Sequence, residues 1–180
     1  STEQHPYLGF NYRISELHAA VGVAQTRRVP QIKEKNRANK KFMTDLLSKT
    51  PGISFAKLAD PDGDSATCLN LLLPDTATAQ RVVDEMKATG VVGFDYWFKN
   101  MYHFINQWDH IKEMRTVSKL PVEVLGAPQD YKNLQLPKTQ EVIGRLISFG
   151  IKYKWTEEDM KTLAGKISEC VTKAMNPVNA

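Results

Sequence analysis

The sequence predicts an α+β protein in which a few-stranded sheet is backed by helices and preceded by a long N-terminal helical arm. Three observations carry this prediction. Apolar residues recur at helical spacing over residues 15–49, short apolar runs bounded by Gly, Pro and Asp follow from residue 53, and residues 156–173 return to helical periodicity. The resulting order, helices and then strand, helix, strand, loop, strand and helix, is typical of a small α+β domain.

The arm is predicted to consist of two helices. Ser15 is a suitable N-cap for the first, and Pro30 is expected to interrupt the chain and to open the second, which runs over residues 31–49 to the Pro-Gly pair at 51–52. The first helix is expected to be buried, because its stripe of small and apolar residues permits close approach of another backbone: Leu17, Ala20, Val21 and Ala24. The rest of the chain offers little for it to pack against, so a missing partner surface is implied.

The remaining elements are predicted from shorter patterns. We expect strands at 53–56, 67–73, 91–98 and 145–153, and helices at 76–89, at 108–114 and from the Thr156 cap to residue 173. Residues 1–50 are therefore interpreted as an interface lead-in and helical arm, and residues 51–180 as a small α+β domain.

Composition excludes several classes of protein. The net charge of +4 is modest, and the lysine-rich stretch at 33–41 also holds Glu34 and Asn36, which favours a solvated helix face over nucleic-acid binding. No apolar run approaches the roughly 18 residues that span a bilayer. The distant pair Cys68 and Cys170 indicates free core thiols in a reducing compartment, so we expect a cytoplasmic protein that contacts no membrane. No signal peptide is visible, and the absence of an initiator methionine suggests an excerpt.

Two acidic or histidine-bearing segments resemble metal sites only superficially. In the segment that begins at Asp60, glycine falls at position four and Leu71 at position twelve, whereas a calcium loop needs glycine at six and glutamate at twelve. A plain turn is favoured. His103, Asp109 and His110 match no zinc spacing, so no metal site is expected.

A polar pair enters the first helix. Asn11 and Arg13 lie two residues apart in an extended segment, so their side chains point the same way. An amide donor beside a planar guanidinium suits a carboxylate or phosphate, which makes the two residues candidates for one anionic ligand. Two alternatives stay open: an interface ion pair for Arg13, and a backbone-capping amide before Ser15 for Asn11.

An aromatic cluster with interspersed polar residues occupies residues 94–103. Such a cluster is typical of a sugar-contacting wall, and equally of a hydrophobic core or an interface. The candidate substrate-binding residues within it are Tyr96, Trp97, Asn100 and His103.

The polar lead-in resembles a signature of the DegT/StrS sugar aminotransferase family. The matching run is Gly9-Phe10-Asn11-Tyr12-Arg13-Ile14-Ser15-Glu16, followed by Ala19-Ala20-Val21-Gly22-Val23-Ala24-Gln25; Thr26 then stands where the family usually has leucine. One branch of the family, the transaminases that make 8-amino-3,8-dideoxy-octulosonate, is similar over further segments, among them Asp60-Pro61-Asp62-Gly63-Asp64-Ser65, Tyr96-Trp97-Phe98 leading to Tyr102-His103-Phe104, Gln107-Trp108-Asp109-His110-Ile111 and Ile151-Lys152-Tyr153-Lys154-Trp155-Thr156.

The resemblance implies a fold, a cofactor and a set of site residues. The chain would be the small C-terminal domain of a type I aminotransferase fold, in a homodimer formed through the arm, with pyridoxal phosphate (PLP) as cofactor. Asn11 would reach the cofactor phosphate of the other subunit, and Arg13 would lie near the anionic group of the substrate. The substrate entrance would be lined by His103, with Tyr96, Trp97 and Asn100 as further candidates.

The same resemblance implies that this chain lacks catalytic residues. In the family, the lysine that bonds to the cofactor precedes a Gly-Glu-Gly-Gly turn, which no lysine here does, and the aspartate that pairs with the cofactor nitrogen is also upstream. An upstream PLP-binding large domain is therefore expected to be missing, and the chain alone is not expected to transaminate. The expected reaction moves an amino group, from glutamate, to the 8-keto form of 3-deoxy-octulosonate in lipopolysaccharide sugar biosynthesis. A nucleotide-sugar aminotransferase, a dehydratase of the same family and a non-catalytic binding module are the alternatives.

Overall fold

A four-stranded antiparallel sheet forms the centre of the protein. The computed structural model describes residues 13–100, 103–115, 117, 126 and 130–176. The strands are β1 (Ser54–Phe55), β2 (Cys68–Leu72), β3 (Phe94–Asp95) and β4 (Leu146–Gly150), in the order β1-β2-β4-β3. Each neighbouring pair is antiparallel. The α+β prediction is confirmed.

The helices are α1 (Glu16–Leu47), α2 (Thr76–Ala88), α3 (Asp109–Lys112), α4 (Pro137–Gly144) and α5 (Glu157–Met175), with 3-10 turns at Trp97–Lys99 and Ile105–Gln107. The three longest, α1, α2 and α5, pack on one face of the sheet. The C-terminal half of α1 packs on α5, and α5 packs on α2. These helices bury one core with the inward side chains of the two central strands, which are Leu69, Leu71, Ile147 and Phe149. No helix among the described residues is both long and apolar enough to cross a membrane.

The alternating strand residues point away from this core. Asn70 of β2 lies opposite Ser148 of β4, and Ser148 lies opposite Asp95 of β3, so the three residues form one row across the sheet. Because successive side chains of a strand point to opposite faces, this row lies on the face that the core helices leave uncovered. That face carries the candidate site described below.

The prediction of two helices in the arm is wrong, because α1 is one helix of 32 residues that contains Pro30. At about 1.5 Å per residue it is roughly 48 Å long. Proline removes the hydrogen bond that would reach the carbonyl of Thr26, but both residues are exposed, so water can satisfy that carbonyl. The helix-forming residues on either side therefore keep α1 continuous through Pro30.

The first part of the arm is exposed in this chain, as expected where the partner surface is missing, and its burial against such a surface stays a prediction. No described residue before Asn36 is buried. The exposed half of α1, residues 16–31, carries large apolar side chains in solvent, among them Leu17 at 76%, Val21 at 55% and Val29 at 53% of full exposure. Burial begins only where α1 meets the domain, through Asn36, Asn39, Met43 and Leu47.

Most domain elements were predicted near their observed places. The strands at 53–56 and 67–73 and the helix at 76–89 are confirmed, and Thr156 caps α5 through a reciprocal hydrogen-bonded box with Asp159. The run at 91–98 is a strand only at Phe94–Asp95 and then becomes a 3-10 turn. The helix α4 was not predicted. Cys170 is buried, but Cys68 is exposed, so the expectation that both thiols lie in the core is wrong for Cys68.

The acidic segment before β2 is a turn, as predicted. The Asp60 carboxylate accepts a hydrogen bond from the backbone N–H of Gly63 at 2.9 Å. Arg37 of α1 donates to the backbone carbonyls of Asp62 and Asp64. The turn is therefore held from the side by α1.

Candidate functional site

The candidate site begins where the chain leaves the edge strand β3. Gly93, just before this strand, has φ +82°, a conformation that residues with a Cβ rarely adopt. After two paired residues the chain turns into the 3-10 segment Trp97–Lys99. Neighbouring aromatic side chains are thereby directed to different sides of the backbone, and only some of them face solvent.

Tyr96 belongs to the core. It is 8% exposed, and its hydroxyl donates to the carbonyl oxygen of Gly144 at 2.7 Å. Burial, together with the nearby Asp84 carboxylate, raises the pKa of Tyr96 to about 12, so the hydroxyl stays protonated and stays a donor. Its phenol is engaged within the protein, and its role in a substrate wall stays a prediction that this geometry does not support.

Trp97 lies on the helix-free side of the sheet. Its half-buried indole donates from Nε1 to the hydroxyl oxygen of Ser148 at 2.9 Å. The Ser148 hydroxyl in turn donates to Oδ1 of Asn70 at 2.5 Å. The indole is therefore anchored to two adjacent strands while part of its surface faces solvent.

His103 completes the aromatic surface. Its exposed ring lies against the indole of Trp97, with ring centroids 4.1 Å apart and planes inclined at 55°. The sequence pattern predicted these two residues as neighbours of one wall, and the structure brings them into contact. Asn100 ends the 3-10 segment between them, half-buried, with its backbone N–H bonded to the carbonyl of Trp97 at 3.2 Å.

The segment that carries these residues is internally braced. The rings of Phe98 and Phe104 stack with centroids 5.7 Å apart, and Phe104 is 4% exposed. The Gln107 side-chain amide donates to the carbonyl of Phe98. The described parts of residues 96–107 therefore form a packed unit on the sheet.

Sequence reasoning missed Ser148 and Asn70. Each is a polar residue inside an otherwise apolar strand, in Leu-Ile-Ser-Phe-Gly and Cys-Leu-Asn-Leu-Leu. Such residues are signals in their own right, because a polar group placed in a buried strand needs a hydrogen-bond partner. Only the strand register shows that the two are partners of each other.

Arg13 lies at the opposite end of the described chain, two residues before the Ser15 cap of α1. Ser15 accepts a hydrogen bond from the backbone N–H of His18 at 3.3 Å, which confirms the predicted cap. The Arg13 side chain is exposed and has no partner among the described residues. Its guanidinium is therefore available to an anion. Asn11 lies outside the described residues, so the predicted joint grip on one anion stays a prediction.

Comparison with known families decides the class of protein. The model of the DegT/DnrJ/EryC1/StrS aminotransferase family matches residues 1–168 of the chain's 180. The match runs from the polar lead-in through the sheet and into α5. The chain belongs to this family.

Aminotransferases of the DegT/DnrJ/EryC1/StrS family generally depend on PLP. The cofactor has a phosphate group, and the exposed guanidinium of Arg13 offers planar N–H donors that suit such an anion or a substrate carboxylate. The Trp97–His103 surface, in contrast, presents two aromatic rings.

Proposed function

We propose that this chain forms the small domain and interface arm of a PLP-dependent sugar aminotransferase that passes an amino group from glutamate to a keto sugar. Family membership supports the reaction class. The observation that carries the sugar specificity is the braced contact between Trp97 and the exposed ring of His103. An anchored indole presents an apolar face beside a ring with polar nitrogens, which matches the alternating C–H and hydroxyl groups of a sugar.

Each site residue has a distinct role in this proposal. Trp97 packs against the sugar, while His103 and Asn100 bond its hydroxyl groups. Arg13 binds and orients the anionic group of the substrate, and Asn11 holds the cofactor phosphate of the neighbouring subunit. PLP, when bound, supplies the electron sink that amino-group transfer requires.

The cofactor lysine is proposed to come from a large domain upstream of these residues. None of the lysines in this chain precedes the Gly-Glu-Gly-Gly turn that marks the family's lysine. The chain's own contribution is then to bind and orient the sugar and to shield it from water.

The arm is proposed to form a homodimer interface. The exposed half of α1 carries Leu17 and Val21, and Ile14 precedes them at 69% exposure. Leu17 and Val21 are four residues apart and therefore lie on one stripe of the helix surface, and Ile14 lies just before the Ser15 cap. Burying such a stripe removes apolar surface from water, which favours association. Arg13 adjoins the stripe and would thereby reach a site shared by two subunits.

The substrate proposed first is the 8-keto form of 3-deoxy-octulosonate, an acid sugar of lipopolysaccharide. Its carboxylate suits the bidentate donors of Arg13. A nucleotide-sugar substrate would present a diphosphate to the same guanidinium, so comparing the two ligands is part of the test.

The test uses the complete polypeptide with its large domain. Arg13→Ala should lower kcat/KM for the keto sugar acid about 10- to 100-fold, since a hydrogen bond to a charged group contributes about 1.5–3 kcal/mol. The half-reaction with glutamate should change little. Lys161→Ala, which removes an exposed cation from α5, is the control and should leave both unchanged.

Three results would count against the proposal. An equal loss for both half-reactions would remove Arg13 from substrate binding. A preference for nucleotide sugars over the acid sugar would change the substrate. A complete polypeptide that shows no PLP absorbance would exclude the transaminase.

A further inference from the structure

The hydrogen bonds that anchor Trp97 have a fixed direction. An indole Nε1–H can only donate, so the Ser148 oxygen must accept from it. The hydroxyl proton of Ser148 then needs an acceptor of its own, and Oδ1 of Asn70 provides one at 2.5 Å. Donation therefore runs from Trp97 to Ser148 to Asn70, and Asn70 determines which way the Ser148 hydroxyl rotates.

These hydrogen bonds lie within the sheet, where a buried polar group without a partner lowers stability. Ser148 is 5% exposed in the central strand β4, between the apolar residues Ile147 and Phe149, which are fully or almost fully buried. A buried hydroxyl that loses its partner costs the desolvation of that group. Ser148 is satisfied only while the indole and the amide are both in place, so the three side chains act as one unit.

A second anchor fixes the same segment from the other side. The hydroxyl of Tyr96 is bonded to the carbonyl of Gly144, two residues before β4, while the indole of Trp97 is bonded within β4. Two successive side chains thus connect the 3-10 segment to residues 144–148. The orientation of the indole, and of the His103 ring against it, is set by the strand and not by the loop alone.

We propose that Ser148 and Asn70 are positioning residues for the sugar-binding surface, acting through Trp97. This inference rests on the proposed function of the Trp97–His103 surface. The two residues hold the indole in the orientation that receives the sugar before the sugar arrives, which reduces the ordering that binding requires.

The first experiment observes the indole directly and needs no ligand. In this chain, the Nε1–H resonance of Trp97 is identified by its loss in Trp97→Phe, and its hydrogen exchange is measured. Ser148→Ala should accelerate that exchange by about 10-fold or more, because the acceptor is gone. Ser148→Thr keeps a hydroxyl and should restore the slow exchange.

Two variants of Asn70 provide an independent test that leaves the buried Ser148 unchanged. Asn70→Leu removes the acceptor for the Ser148 hydroxyl and should accelerate exchange, whereas Asn70→Asp keeps an acceptor and should not. Ser54→Ala is the control, since this serine bonds the Leu72 carbonyl elsewhere in the sheet. Unchanged indole exchange in both Ser148→Ala and Asn70→Leu would overturn the inference.

The second experiment measures the consequence for the complete polypeptide. Ser148→Ala should raise KM for the keto sugar about 10-fold while kcat and the KM for glutamate stay near wild type, and Ser148→Thr should restore the sugar KM. Faster indole exchange with an unchanged sugar KM would overturn the positioning role alone. A complete polypeptide that binds no keto sugar, with the indole bond intact, would overturn the proposed function instead.

Discussion

Lys40 of α1 and Asp64 of the turn before β2 form an ion pair of 2.7 Å whose side chains keep only 16% and 22% of their surface exposed. Arg37, one turn earlier on α1, donates to backbone carbonyls of the same turn. Ala66 follows with φ 56° and is fully buried, so the backbone is constrained as it enters β2. The helix α1, which forms the arm, therefore also holds the start of β2, the strand that contains Asn70.

Loss of this ion pair should destabilise the domain. Lys40→Met is expected to lower the free energy of unfolding by about 1 kcal/mol, the upper end for exposed pairs, because this pair is partly shielded from water. The matched control is Lys41→Met, which removes an exposed i,i+4 pair with Asp45 on the same helix and should cost at most about 0.5 kcal/mol. Urea unfolding measures both. Equal effects would contradict a special role for Lys40.

The same pair should make stability depend on pH. The hydrogen bond from Lys40 is the largest cause that holds the pKa of Asp64 below its ordinary value of 3.8. A carboxyl whose pKa is lowered by folding contributes stability above the unfolded pKa and loses it as pH falls through the folded value. The stability difference between wild type and Asp64→Asn should therefore be present at pH 7 and should shrink on acidification below about pH 4. A constant difference would contradict this.

Gly144 should not tolerate a side chain. A Cβ at this position would collide with the Thr76 hydroxyl and crowd its methyl group. Gly144→Ala is expected to lower the free energy of unfolding by about 1–3 kcal/mol through overpacking. Thr76→Ala removes both crowding atoms, so the double variant should lose less than the sum of the single changes, a coupling measured by urea unfolding.

Gly165 should tolerate a side chain, so it serves as the control for the Gly144 and Thr76 variants. It lies in α5, is exposed, and a Cβ there would meet nothing within 4 Å. Gly165→Ala should stabilise the protein by about 0.5–1 kcal/mol, because alanine has the higher helix propensity. A destabilising effect would contradict this expectation.

The exposed half of α1 should cause self-association. Wild type is expected to sediment as a dimer or larger species, and Leu17→Glu combined with Val21→Glu should yield a monomer, because charges would replace the apolar stripe. Val92→Glu, at a 75% exposed apolar residue of the domain, is the control and should leave association unchanged. A wild-type chain that sediments as a clean monomer would count against an interface on the arm.

Sequence patterns predicted those helices and strands that depend on residues close together in the chain. The strand β2 and the helices α2 and α5 were found near their predicted places, because apolar periodicity and the cap at Thr156 are properties of neighbouring residues. Pro30 does not end the helix, because the cost of proline within a helix is outweighed by the helix-forming residues on both sides.

The candidate site was only partly predictable for a different reason. Composition marked the aromatic segment but did not separate Tyr96, which enters the core, from Trp97, which faces the open side of the sheet. That separation follows from where β3 ends and how it pairs with β4. The partnership of Ser148 and Asn70 likewise depends on strand register, which a single sequence does not reveal.

Because α1 is continuous, it connects the proposed subunit interface at one end to the domain at the other, whereas a hinge at Pro30 would have separated them. One end of the helix is fixed to the domain through Met43, Leu47 and the Asn39 amide, which donates to the carbonyl of Lys152 at 3.0 Å. The other end carries the apolar stripe beside Arg13. In the proposed dimer, a subunit that covers the stripe would be joined to the sheet by one uninterrupted helix, so we expect subunit assembly and ligand affinity to be thermodynamically coupled. By reciprocity, a sugar that binds more tightly to the assembled form must strengthen assembly by the same factor.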